Sequence, residues 1–185
     1  MQTSIALLRG INVGGNKKIR MAALKDLCEG LGLHDVQTLL QSGNVVFRSA
    51  EASLEALAAQ LESAIQARFG FEVRVMLRTL EQWRDILTRH PFSEAQLAEP
   101  AKILLACLSA APSEQAWAAL LAGHSGPEIV QRSGAELYIF YTEGMGRSKL
   151  DNSLLERRLK VISTGRNWNT VHKLLALAEE IAQRA

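Results

Sequence analysis

Apolar and polar positions along this chain switch between two rhythms, and the switches divide it into strands and helices. Residues 3–9, Thr-Ser-Ile-Ala-Leu-Leu-Arg, are apolar on both faces, as a central strand covered on both sides requires. A helical period follows from about Met21 to Leu31, with Leu24, Leu27, Cys28 and Leu31 on one side and Gly30 and Gly32 at its end. Val36–Gln41 and Val45–Arg48 read as strands joined at Ser42-Gly43-Asn44. A long helix from about Ser53 to Phe69 turns Leu54, Leu57, Ala58, Leu61 and Ile65 inward. Gly70 stops it, Glu72–Arg78 is a fourth strand, and Leu80–Arg89 is a further helix.

The layout then starts again after two prolines around a polar stretch, Pro91 to Pro100. Lys102–Leu108 reads as a strand and Ser113–Leu121 as a helix opened by Pro112 and Ser113. Glu128–Arg132 and Ala135–Tyr141 are strands meeting at Ser133-Gly134. Lys149–Leu159 is a helix, Lys160–Ser163 a strand and Thr170–Gln183 the last helix. The expected fold is therefore α+β, a duplicated ferredoxin-like architecture with β-α-β-β-α-β plus an extra helix in each half. The halves fall at 1–90 and 100–185, with 91–99 as a linker. Residue identity between the halves is low, and a single mixed sheet is the alternative.

Connection rules locate the loops. Strands one and two of each half run parallel and strand three antiparallel, so the turn after strand one and the turn between strands two and three emerge together. In the first half this sets Arg9, Asn12, Lys17, Lys18 and Arg20 beside Ser42 and Asn44. In the second, Arg147, Lys149, Arg166, Asn167 and Asn169 collect at the opposite end. Head-to-tail packing of the halves would make one cleft of the two basic ends.

Composition changes this picture little. A net charge of +2 is too small to dictate a nucleic-acid or membrane partner, so any preference comes from local clustering. No apolar run reaches the roughly 20 residues of a membrane helix, and Met1-Gln2-Thr3-Ser4 lacks a signal-peptide pattern. Cys28 and Cys107 each lie on an apolar pattern without metal-type spacing and read as buried thiols of a cytoplasmic protein.

The candidate chemistry sits in the turn Arg9-Gly10-Ile11-Asn12-Val13-Gly14-Gly15-Asn16-Lys17-Lys18. Its glycines permit positive φ and close approach of amides to an anion, between a strand and a helix. It is not a P-loop, because Asn16 and Lys17 occupy the Lys and Ser/Thr positions, and Val13 breaks the GxGxxG pattern. Arg166 is a candidate fork for carboxylate or phosphate, and Asn169 or Thr170 a cap for the last helix. Acidic residues such as Glu55, Glu62, Glu179 and Glu180 read as solvated helix surface, and the scattered His34, His90, His124 and His172 form no metal or hydrolase constellation. Strand aromatics are too few for a base-stacking sheet, although Tyr138 and Phe140 share one face.

Leu7-Leu8-Arg9-Gly10-Ile11-Asn12-Val13-Gly14-Gly15, Ser42-Gly43-Asn44-Val45-Val46-Phe47, Ser148-Lys149-Leu150 and Thr164-Gly165-Arg166-Asn167-Trp168-Asn169-Thr170-Val171 together resemble the bacterial domain of unknown function 1697 family. The resemblance spans nearly the whole chain. It implies a small cytoplasmic α+β protein with ferredoxin-like halves, and no established activity. Thr164-Gly165 departs from the family's usual Thr-Thr or Ser-Thr, which weakens any role for a hydroxyl at position 165.

The resulting expectation is binding of a small anionic ligand, a nucleotide or phosphorylated metabolite, in a cleft between the halves. Arg9, Asn12, Gly14, Gly15, Lys17, Ser42, Asn44, Arg166, Asn167 and Asn169 would line it, with neither cofactor nor metal. The alternatives are a non-catalytic scaffold or interaction module, and a protein binding single-stranded nucleic acid. The sequence leaves enzymatic activity and oligomeric state open.

Overall fold

In the computed structural model, which describes residues 1–184, the doubly apolar N-terminal segment is strand β1 (Gln2–Leu8). It lies inside a sheet, as its pattern requires, antiparallel to β3 (Asn44–Ser49) on one side and β4 (Val75–Thr79) on the other. β2 (His34–Leu39) pairs with β3 and completes the order β2-β3-β1-β4. Helices α1 (Met21–Gly30) and α2 (Leu54–Phe69) cover one face. There Ala6, Leu8, Val45, Phe47, Val75 and Leu77 meet Leu24, Leu27, Cys28, Leu57, Leu61 and Ile65 in one buried cluster. The ends of α2 are those its sequence prescribes: the Ser53 hydroxyl accepts from the Ala56 amide at 3.2 Å, and Gly70 closes it in the left-handed region.

A second sheet has the order β6-β7-β5-β8, from β5 (Ile103–Leu108), β6 (Ile129–Ser133), β7 (Glu136–Phe140) and β8 (Ser163–Asn167). Helices α5 (Glu114–Ala122) and α6 (Asn152–Leu159) pack Leu120, Leu155 and Leu159 against Ala106, Leu108, Leu137 and Ile139. The remaining helices are α3 (Leu80–Thr88), α4 (Glu94–Leu97) and α7 (Trp168–Gln183). The fold is thus α+β, with two four-stranded antiparallel sheets and seven α-helices among the described residues. No described helix is long and apolar enough to cross a membrane.

The chain forms two compact units, one of Met1–Asp85 with the segment from Lys173 on, the other of Ile86–His172. Residues 91–99 belong to the second unit and hold α4, whose capping box pairs Ser93 with Gln96. Equivalent hydrogen bonds recur in both units. Leu8 N–H donates to Gly43 O as Leu108 N–H does to Ala135 O, both at 2.8 Å. Arg9 N–H donates to Arg74 O at 2.9 Å, and Ser109 N–H to Ile162 O at 2.8 Å. The first amide of the fourth strand donates to a helix carboxylate in each unit, Val75 to Glu62 and Ser163 to Glu156, both at 2.8 Å.

Two expectations change. Lys160–Ile162 is not strand: Lys160 closes α6 in the left-handed region (φ 60°), so pairing starts at Ser163. Arg166 and Asn167 are therefore strand residues rather than loop residues. Glu62 is not merely solvated either, since its carboxylate holds the Val75 amide and lies 3.3 Å from Arg74.

Candidate functional site

The glycine-rich turn leaves β1 and is pinned twice in the core of the first unit, by Ile11 and Ile19, 1% and 2% exposed. Between these anchors the chain makes a small hairpin, with Val13 bridged to Asn16 across Gly14-Gly15. Both central residues have positive φ (58° and 79°), as the two-residue turn with a right-handed strand twist requires, so glycine is favoured at both. Asn12 and Lys17, at the base, also lie in the left-handed region, with φ of 55° and 46°. Each such side-chain-bearing residue costs on the order of 1 kcal/mol.

Asn12 holds this shape. Its Nδ2 donates to Ile19 O at 3.0 Å and Gln41 O at 2.8 Å, while its Oδ1 accepts from Ile19 N–H at 2.9 Å. The turn is thereby closed on itself and tied to the β2–β3 turn. Gly43 makes the approach possible: a Cβ there would stand 2.6 Å from Ile11 Cδ1 and 2.9 Å from Leu8 Cβ. Asn44, fully buried, donates from Nδ2 to Leu39 O at 2.6 Å and to Ser42 Oγ at 3.1 Å. Lys17 reaches back to Glu72 O at 2.6 Å. Arg9 is half-buried at the root of the turn, and Lys18 and Arg20 are exposed.

Arg9, Asn12, Gly14, Gly15, Lys17, Ser42 and Asn44 therefore share one end of the first sheet. The side chains of Asn12 and Asn44 are consumed by backbone partners. Backbone and cations are among the groups that face outward: the amides of Gly10, Gly14 and Gly15 make no hydrogen bond among the described residues, and all three glycines are exposed. Preorganised amides beside lysine and arginine form an anion-favouring surface.

The other candidates lie in the second unit. Arg166 is 6% exposed on the sheet face opposite α5 and α6, donating from Nη1 to Thr164 Oγ1 at 2.9 Å and Gly165 O at 2.8 Å. Burial lowers its pKa to about 10, against a smaller opposing effect of Cys107. Asn167 accepts from Asn169 N–H at 3.0 Å and donates to Pro100 O and Ala101 O. It, rather than Asn169 or Thr170, caps α7, because the helix already begins at Trp168. Trp168 is buried, with ring contacts to His90, Phe92, Tyr138 and His172.

Two features had no signal in the residue pattern. The Ser148 hydroxyl donates to the buried Glu128 carboxylate, whose second oxygen lies 3.5 Å from His124 Nε2. Ser148 Oγ also accepts from Leu150 N–H at 2.9 Å, which gives the Ser148-Lys149-Leu150 motif a turn-fixing role. An open depression of about 620 Å³, lined by Ser109, Ser153, Glu156, Arg157, Lys160, Val161 and Ile162, contains none of the candidate residues. Among the described residues no cluster of His, Cys, Asp and Glu has the makings of a metal site.

Comparison with known proteins matches residues 1–138 to the family described as "Protein of unknown function (DUF1697)". A solved structure, that of a conserved bacterial protein from Streptococcus pneumoniae, is similar at 23% identity with a TM-score of 0.71, covering 96% of this chain and 98% of that one. That likeness is one of fold. No curated protein matches the chain significantly.

Proposed function

This chain belongs to the DUF1697 family of proteins of unknown function, and from its own geometry we propose that it binds a small anionic ligand, a nucleotide or phosphorylated metabolite, at the glycine-rich turn of the first unit. The observation that carries this reading is the concentration of left-handed backbone between Gly10 and Lys17, including two residues that are not glycine. Local backbone strain of this kind clusters at binding sites. Locked amides of Gly10, Gly14 and Gly15 would meet the anion's oxygens, and Arg9, Lys17 and Lys18 its charge. Charge-assisted contacts of this kind contribute about 1.5–3 kcal/mol each.

A thermal-shift screen over nucleotides and phosphorylated metabolites tests this. A ligand at 100 times its dissociation constant adds about 2.7 kcal/mol to wild-type stability, and Arg9→Ala should diminish that gain. The scaffold reading is favoured by one observation, that Asn12 and Asn44 spend their amides on turns. It predicts no shift with any ligand.

We further infer that the two units are halves of a duplicated ferredoxin-like fold. The matching sheet orders and the recurring bonds at Leu8 and Leu108, Arg9 and Ser109, and Glu62 and Glu156 support it. Cys28 and Cys107, both buried and neither in a disulfide, support a cytoplasmic setting.

A further inference from the structure

Beside the cations, the same end of the first sheet presents two apolar side chains to solvent. Leu40, in the β2–β3 turn, is 48% exposed with φ 60°, and Val13, in the glycine-rich turn, is 66% exposed. A bulky residue in the left-handed region is an outlier, and glycine or asparagine would occupy position 40 with less strain. Its exposure means that little apolar burial offsets that strain. The bond from Asn12 Nδ2 to Gln41 O ties the immediate neighbours of Val13 and Leu40 together, so both stand on one braced pair of loops. Arg9, Lys17, Lys18 and Arg20 belong to the same loop as Val13.

From this juxtaposition we propose that the ligand is an anion joined to a flat apolar body, as in a nucleotide, with the base resting on Leu40 and Val13 and the phosphate on the turn. The inference rests on the anion-binding reading and narrows its ligand class. A bare phosphate or sugar phosphate would use the cations and amides and leave the two apolar side chains idle.

Calorimetric titration with AMP, ribose 5-phosphate and inorganic phosphate tests it. The wild type should bind AMP at least about tenfold more tightly than ribose 5-phosphate, a difference of about 1.4 kcal/mol. Leu40→Gly and Leu40→Asn, which suit φ 60°, should fold with no loss in Tm and bind ribose 5-phosphate as the wild type does. Their preference for AMP should fall below about threefold. Equal binding of AMP and ribose 5-phosphate by the wild type would overturn the proposal, as would Leu40 variants that keep the full preference. Absence of binding by all three probes would instead remove the anion site itself, and this proposal with it.

Discussion

Single residues decide whether the glycine-rich turn keeps its shape. Gly43 has φ 78° and no room for a Cβ against Ile11 and Leu8. Gly43→Ala should therefore cost about 2–3 kcal/mol in urea unfolding, combining left-handed strain with overpacking. Asn12→Ala strips partners from Ile19 and Gln41 and should cost about 1–3 kcal/mol in the same assay. The sequence singled out Asn12 and Asn44 as ligand contacts because residue type announces hydrogen-bonding capacity, whereas the folded chain shows that capacity spent on backbone. Cys28 gives a prediction in pH. Burial, with Glu29 adding to it, pushes its thiol up to about 12 from 9.0. The unfolded chain then ionises at lower pH than the folded one, so this stability is complete below pH 9 and is lost as pH rises toward 12. Between pH 9 and 10 the loss approaches about 1.4 kcal/mol per pH unit, and Cys28→Ala should flatten that part of the curve. Above pH 10 the raised Tyr141 acts in the same direction and the lowered Arg166 in the opposite one.

At the scale of elements, the alternating and helical periods located seven of the eight described strands and six of the helices, because apolar burial against the sheet faces follows those periods. Boundaries were less legible where a polar residue makes the turn. Lys160 looked like the start of a strand and is the left-handed end of α6, a choice set by backbone geometry that lysine does not advertise. The same slip hid the cap of α7. Asn167→Ala should cost about 1 kcal/mol in thermal unfolding, while Asn169→Ala should cost a few tenths at most. The short helix α4 escaped because four residues are too few to show a period. The carboxylates at Glu62 and Glu156 were invisible as a pair, since each sits on an ordinary amphipathic helix and finds its partner only when the fourth strand arrives. Glu62→Ala and Glu156→Ala should each lower stability by about 1–2 kcal/mol, because each carboxylate accepts from the first amide of a fourth strand.

For the whole molecule, the order of elements was enough to anticipate α+β architecture and to bring the glycine-rich turn beside Ser42-Gly43-Asn44. The placement of the candidate residues was half legible. Glycines and lysines marked the turn, but Leu40 gave no sign of its backbone conformation, and Arg166 gave no sign that it would be buried in a strand. We propose that the exposed amides and cations of this turn receive an anion. The most direct test is an amide NMR titration of the full chain with AMP. Saturable shifts confined mainly to Gly10, Gly14, Gly15 and the residues of the β2–β3 turn are the predicted result. Saturable shifts elsewhere with this turn unmoved, or no shifts at millimolar AMP, would contradict it.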